Sequence, residues 1–323
     1  LRTDNSTNAP RSYHRYLASR PSSWESDAIA LMIRLSEEFN VHVHIVHVSS
    51  AEALPLIRDA KKRGLRITSE TCPHYLAFCA EDPIERVYLE EVARRGPGRL
   101  VATVDGGALR ALCHVGANLV PSGRGCEVFA DVAVAARPKM FIGNEQAVSD
   151  LWGAVRSRMQ EPRDDRPGQP VFAISQAPEP GETRIREATR ADFELLLPAC
   201  AATHEGELGL DPMAADAEGF RRRTLQQIDE GRSWIWVGED GTILFKAEAS
   251  AWTPHAVQLQ QVWVDPEARG QGYAQRGLRD LVRLLLERVP CVCLFVRADN
   301  PAAIRLYEAV GMARVGTYRS VLF

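Results

Sequence analysis

The stretch Val262-Trp263-Val264-Asp265-Pro266-Glu267-Ala268-Arg269-Gly270-Gln271-Gly272-Tyr273-Ala274 decides the reading of the chain. It runs from an apolar strand through a turn at Asp265-Pro266 and a Gly-rich loop into a helix. Ala274, Leu278, Leu281 and Leu285 then recur at helical spacing and predict one apolar face. Gly270 and Gly272 carry no Cβ, so backbone N–H groups there can turn toward an anion and approach it closely. The helix N-terminus adds unpaired donors and partial positive charge. Strand, loop and helix together predict a seat for phosphate or pyrophosphate.

A second stretch follows. Cys291-Val292-Cys293-Leu294-Phe295-Val296 reads as a short apolar strand, and Asn300-Pro301 opens a helix that carries Tyr307 and stops at Gly311-Met312. Asn is a good N-cap, Pro suits the first helical position, and Gly suits the residue past the C-terminus. The spacing Arg269-x-x-Gly272-x-Ala274, followed at this distance by strand, Asn-Pro, Tyr-bearing helix and Gly-Met, resembles the GCN5-related N-acetyltransferases (GNAT). The resemblance covers roughly residues 184–323.

That resemblance implies an α/β (α+β) fold, a mixed and mostly antiparallel sheet flanked by helices. It implies acetyl-CoA as acyl donor, bound by Val262, Val264, Arg269, Gly270, Gln271, Gly272, Tyr273, Ala274 and Asn300, and an amine as acceptor. Arg269 would pair with a phosphate, and Asn300 would both cap its helix and touch the CoA arm. A backbone N–H near Val262 or Val264 would polarise the thioester carbonyl. Tyr307 would be the general acid that protonates the departing thiolate, with a packing role as the alternative. Glu248, on the strand before the loop, leads as general base; His255, Glu205 and a water chain are the alternatives.

The rest of residues 184–323 reads in the matching order: strand 183–187, helix 192–202, a polar loop at His204–Gly209, helix 218–230, a hairpin of 234–238 with 242–249, and strand 257–264. Residues 161–182 are rich in Pro, Gly and charge and predict a linker, assigned to 161–183, with one edge strand at Pro170–Ile174.

Residues 1–81 differ in character. Helix 24–39, with Ala28, Met32, Leu35 and Phe39 on one face, strand 41–48, helix 51–63 and strand 65–69 predict a βαβ unit of a parallel sheet. Ser19-Arg20-Pro21, His44-Ile45-Val46-His47-Val48-Ser49-Ser50 and Glu70-Thr71-Cys72-Pro73-His74-Tyr75-Leu76 resemble allantoinase and related cyclic amidohydrolases. Those are TIM-barrel enzymes with metal centres at the C-terminal strand ends. The resemblance makes His47 the remnant of a metal-binding position. A whole barrel takes about 250 residues, and a lone imidazole does not make up the three or four ligands a catalytic metal needs. No bound metal is expected. A truncated βα piece of barrel also leaves apolar faces uncovered.

Near Glu81-Asp82-Pro83 the pattern changes. Residues 82–160 read as helix 84–95, a hairpin across Asp105-Gly106-Gly107, helix 124–136, strand 138–142 and helix 144–159. Arg110–Pro121 resembles the domain that precedes the acetyltransferase domain in some actinobacterial two-domain proteins. Without an Arg-x-x-Gly-x-Gly loop, this degenerate GNAT-like half is expected to be scaffold or to shape the acceptor site.

Composition sets outer bounds. With 323 residues there is room for two or three domains, and a net charge of −3 implies no nucleic-acid partner. No apolar run approaches the roughly 18 residues of a membrane span. Seven cysteines without a Cys-x-x-Cys pair, and no signal-peptide pattern, point to a reducing cytoplasm. The function these observations favour is a CoA-dependent N-acyltransferase, most simply an N-acetyltransferase. The alternatives are a metal-dependent cyclic amide hydrolase and a non-catalytic acyl-CoA sensor. The acceptor amine is not legible.

Overall fold

The computed structural model describes residues 21–70, 84–105 and 108–323. It divides into two compact units, residues 1–79 and 80–323. Ser19-Arg20, Thr71–Leu76, Glu81-Asp82-Pro83 and the turn at Gly106-Gly107 lie outside the described residues.

The first unit contains α1 (Ser22–Phe39), β1 (Val43–Ile45), α2 (Leu54–Lys62) and β2 (Ile67–Ser69). The two strands pair in parallel, with Val43 opposite Ile67, so the expected βαβ unit forms. Its core is Ile29, Ile33, Val43, Ala53, Ile57, Ala60 and Ile67. The buried stripe of α1 is therefore Ile29–Ile33–Ser36, not the expected Ala28–Met32–Leu35–Phe39 face. The helix is apolar on two sides, and the two described strands cover only one. Trp24 (64%) and Phe39 (62%) are exposed as a result. Each such side chain forgoes roughly 1.5–3 kcal/mol of burial.

The second unit opens with α3 (Val87–Arg95) and is built on one sheet. Its strands are β3 (Arg99–Asp105), β4 (Ala108–Val115), β5 (Asn118–Gly123), β6 (Met140–Asn144), β7 (Asp164–Ile174), β8 (Arg186–Glu187), β9 (Ser233–Val237), β10 (Ile243–Trp252), β11 (Val257–Trp263), β12 (Val292–Phe295) and β13 (Ala313–Leu322). They lie in the order β3-β4-β5-β6-β13-β7-β12-β11-β10-β9-β8. The helices are α4 (Ala130–Ala136), α5 (Glu145–Val155), α6 (Phe193–Leu208), α7 (Pro212–Asp229), α8 (Tyr273–Leu286) and α9 (Pro301–Val310).

The sheet repeats one device. β5 and β6 run parallel but pair only at Asn118–Met140 and Leu119–Phe141 before diverging. β11 and β12 do the same, pairing only at Val257–Val292 and Gln258–Cys293. Each splayed pair marks one half. Between them lie β13, against β6 of the first half, and β7, against β12 of the second. The strand that ends each half thus pairs with the other half, and β7 and β13 join the halves along their length, from Ala173–Ala313 to Asp164–Leu322.

This placement corrects the reading of residues 161–183 as linker with an edge strand. Val171–Ile174 are buried on both faces, the mark of an interior strand. The polar half that reads as linker is paired as well, with Gln169 opposite Tyr318 and Arg166 opposite Ser320. Two further differences bear on function. The expected strand 183–187 is reduced to Arg186–Glu187, because the backbone N–H groups of Gly181 and Thr183 donate instead to the Asp280 carboxylate. Helix 192–202 continues as α6 to Leu208, where Gly209 (φ 67°) ends it, so the loop expected at His204–Gly209 is helical through Leu208.

Each half has its own core. Phe141, Leu151, Trp152 and Val321 fill the first. Trp234, Phe245, Leu259, Leu278, Leu281, Leu285 and Val292 fill the second. Leu278, Leu281 and Leu285 are the stripe expected for α8. The helix lies so close to the sheet that a Cβ on Gly277 would fall 2.5 Å from the Phe245 ring.

Candidate active site

The loop after β11 has the geometry its glycines suggest. Gly270 (φ 79°) and Gly272 (φ 84°) both adopt the left-handed conformation, and both face open space. Gly272 occupies the N-cap of α8 and no side chain caps the helix. The first-turn N–H groups are left for an external acceptor, such as an anion. A depression of about 180 Å³ lies here, lined by Val264, Arg269, Gly270, Gly272, Tyr273 and Ala274 among others. Arg269 and Gln271 are exposed beside it. Tyr273 is fixed by edge contact with Trp236, ring centres 5.2 Å apart. An uncapped, glycine-lined helix N-terminus of this kind suits an anion.

The first half has a counterpart loop, Gly123-Arg124-Gly125, also with two left-handed glycines. There a Cβ on Gly123 would strike the Arg110 carbonyl at 2.4 Å, and the Glu127 carboxylate faces Gly125. The space is crowded and carries negative charge.

A larger cavity, about 450 Å³, opens where β11 and β12 part. Val262, Asn300, Tyr307, Glu207 and Glu248 all line it. Tyr88, Ile142 and Gln169 add a wall from α3, β6 and β7. Asn300 caps α9 by accepting from the Ala303 N–H at 3.1 Å. Tyr307 is 6% exposed, its ring centre 5.6 Å from that of Phe172. Burial, reinforced by the negative charge of Glu207, raises the phenol well above its ordinary range, so it keeps its proton.

The two carboxylates differ. Glu248 is buried on β10; it accepts from Lys246 Nζ at 3.2 Å and from the Cys200 thiol at 3.1 Å. Glu207, on the last turn of α6, lines the cavity and is exposed to solvent as a residue. The protein packed around its carboxyl desolvates it, and this, with the Glu248 charge adding to it against Lys246 and Arg166, pushes the carboxyl up to about 7. Beside it His204 is lowered by burial and by Arg223 and Arg163, which favours the neutral ring. Glu205 and His255, the other base candidates, are not among the described residues that line the cavity. Sequence reasoning missed Glu207 because His204-Glu205-Gly206-Glu207-Leu208-Gly209 shows no helical apolar period. Its one usable signal is Gly209, which suits a helix stop.

Behind Glu248 lies Lys246, fully buried, whose ammonium also donates to the Gln261 side chain at 3.0 Å and to Cys200 Sγ at 3.3 Å. Burial opposes that charge, but Glu248 and Cys200 more than offset it and raise the pKa above its ordinary value. Gln261 has φ 51° and lies in a bulge of β11, where the pairs Lys246–Trp263 and Glu248–Gln260 leave Gln261 and Val262 without partners.

In the first unit, His47 Nδ1 lies 3.7 Å from Glu70 Oε1, and His44 Nε2 lies 3.5 Å from Glu70 Oε2, all well exposed. Among the described residues no three His, Cys, Asp or Glu side chains form a group that could hold a metal ion. No described helix is long and apolar enough to cross a membrane.

Known proteins resemble different parts of the chain. Residues 98–196 match the model of a domain of unknown function, DUF4081, and residues 200–312 that of the acetyltransferase (GNAT) family. The fold is shared with a crystal structure of a Drosophila protein, TM-score 0.50 at 13% identity over 94% of this chain and 97% of that one. A GCN5-related N-acetyltransferase from Kribbella flavida superposes with a TM-score of 0.49 at 15% identity, covering 76% of this chain and 96% of its own. The N-terminal region is similar to allantoinase of Arabidopsis thaliana, 48% identical over 87 residues, which are 24% of this chain and 17% of that one. It is also similar to allantoinase of Streptomyces avermitilis, 50% identical over 70 residues, 22% of this chain and 16% of the relative. The chain thus spans about a sixth of the length of these curated relatives. Residues 200–312 are a domain of the GNAT acetyltransferase family, carried behind a DUF4081 domain and an allantoinase-like fragment.

Proposed function

We propose that the chain is an acyl-CoA-dependent N-acyltransferase that moves acetyl from acetyl-CoA to a primary amine. The observation that carries this reading is the placing of an uncapped, glycine-lined helix N-terminus beside a strand splay whose cavity holds both Glu207 and Tyr307. In this reading Gly270 to Ala274 and Arg269 hold the pyrophosphate, and the pantetheine arm runs past Val264 and Asn300 between β11 and β12. The thioester carbonyl accepts from a backbone N–H at Val262 or Val264. A fixed dipole in a water-poor site stabilises the developing oxyanion without reorganising.

Glu207, rather than the ion-paired Glu248, takes the proton from the incoming ammonium, directly or through water. A carboxyl that titrates near neutral pH is matched to that task. The amine nitrogen then attacks the carbonyl carbon and the C–S bond breaks. Sulfur takes the Tyr307 proton, and the phenol is reprotonated from the Glu207 side of the cavity. The amine loses two protons in all; one leaves to solvent and one ends on the thiol. The acceptor enters against the wall formed by Tyr88, Ile142 and Gln169, so the first half shapes the acceptor site. A cytoplasmic site of action suits the five described cysteines, all buried and free.

Calorimetric titration with acetyl-CoA tests the reading. The wild type should bind at micromolar concentration. Gly272→Glu should not bind, because it fills the phosphate seat with a side chain of like charge. A folded wild type that fails to bind acetyl-CoA ends the proposal.

A further inference from the structure

We propose that Lys246, Glu248 and Gln261 form a buried clamp that sets the β11 bulge and so aims the backbone dipole that polarises the thioester. The inference rests on the acyltransferase reading and assigns these three as positioning residues within it.

The observations are geometric. Lys246 is fully buried, and a bare ammonium there would be costly. Glu248, two residues along the same strand, supplies the counter-charge at 3.2 Å. A third contact, Nζ to Gln261 Oε1 at 3.0 Å, crosses to β11. It lands on the one β11 residue with positive φ, a conformation non-glycine residues avoid and that must be held by its surroundings. The residue after it is Val262, which lines the cavity. Between Lys246–Trp263 and Glu248–Gln260 the ladder skips Gln261 and Val262, so the β10–β11 ladder does not fix their peptide planes. The Lys246 contact is what ties the Gln261 side chain to β10. A buried charged group used only for stability would be a poor choice, because an apolar pair of similar volume often does as well. Its use here is directional: one donor on β10 pins one residue of β11 at the point where β11 and β12 have begun to diverge.

The test reads the carbonyl itself and needs no acceptor. Acetyl-CoA labelled with 13C at the thioester carbonyl is bound to the full-length wild type and followed by isotope-edited infrared spectroscopy. The bound stretch should move to lower wavenumber than in free acetyl-CoA. Two variants follow. Gln261→Met leaves the Lys246–Glu248 pair intact and removes only the contact to β11. Lys246→Met/Glu248→Met removes the pair without leaving a lone buried charge. Both should bind acetyl-CoA within about threefold of wild type, keep a wild-type melting temperature in the Gln261→Met case, and lose most of the carbonyl shift. Where an amine acceptor is supplied, kcat should fall roughly tenfold to a hundredfold while KM for acetyl-CoA stays near wild type. A full carbonyl shift in a folded Gln261→Met variant overturns the clamp and leaves the acyltransferase reading standing. Failure of the wild type to bind acetyl-CoA overturns the acyltransferase reading.

Discussion

The ring of Tyr307 on α9 lies 5.6 Å from the ring of Phe172 on β7. The acid candidate of the second half is therefore backed by the strand that ends the first. Packing and chemistry separate in Tyr307→Phe, which keeps the ring and removes the hydroxyl. Stability should change by no more than about 1 kcal/mol, since the ring packing is kept. The rate of acetyl transfer should fall about a hundredfold or more, with the Kd for acetyl-CoA unchanged. Retention of full kcat would make Tyr307 a packing residue only.

Glu207 gives two pH signatures. A base acts when deprotonated, so acetyl transfer should rise with pH through about 7. Glu207→Gln should lose that limb and be roughly a hundredfold slower or worse. Stability runs the other way. The folded carboxyl titrates near 7, above the unfolded value of about 4.3. Ionisation therefore favours the unfolded chain, with no cost below the unfolded value and the full cost above the folded one. Glu207→Gln should be more stable than wild type at pH 8 and equal to it at pH 4 by chemical denaturation. Equal stability at both pH values would mean that the Glu207 carboxyl is solvated as freely in the folded chain as in the unfolded one.

What was legible in the sequence was what local physics decides. Gly270, Gly272, Asn300, Pro301 and Gly311 each have a conformational reason to stand where they do, and loop, cap and stop form accordingly. The stripe Leu278–Leu281–Leu285 is buried because helical period and core face coincide. What stayed hidden was decided by distant partners. The polar half of β7 is a strand because β13 pairs with it from some 150 residues downstream. Glu207 joins the cavity because α6 runs two turns further than its apolar pattern, ending on Gly209. Glu248 leads as general base in the sequence, where nothing shows that Lys246, two residues back on the same strand, is buried beside it as its ion partner. On α1 two apolar stripes compete, and sequence alone does not say which one the short sheet covers.

Arg232 Nη2 meets Glu91 Oε1 at 2.7 Å, each side chain 10% exposed, and Glu91 Oε2 also accepts from the Trp252 N–H at 3.2 Å. This pair fastens α3 to the strands of the second half. Arg232→Met would leave Glu91 with only the partly exposed Arg95 at 3.3 Å as cationic partner. Stability in urea should fall by about 3 kcal/mol, as for a broken buried pair. Because β7 and β13 join the halves, hydrogen exchange should quicken together in β4 and β10. Faster exchange in β10 alone would mean that the halves unfold separately.

Asp280 on α8 holds the segment that enters the second half. It accepts from the N–H of Gly181 at 2.6 Å, the N–H of Thr183 at 2.7 Å and the Thr183 hydroxyl at 2.7 Å. Burial disfavours its charge, but these donors more than offset that and hold the carboxyl below its usual value. Asp280→Asn keeps the shape, removes the charge from three charge-assisted bonds and turns an acceptor oxygen into a donor. It should cost about 1–3 kcal/mol at pH 7. A depressed folded pKa contributes stability above the unfolded value of about 3.9, and that stability is lost as pH falls through the folded pKa. The difference between wild type and variant should therefore be constant from pH 8 to pH 5 and shrink below pH 4. Since α8 begins at the glycine loop proposed to hold coenzyme A, two turns before Asp280, a loosened entry segment should also weaken acetyl-CoA binding, by about threefold to tenfold. A pH-independent difference would show that Asp280 acts through its shape rather than its charge.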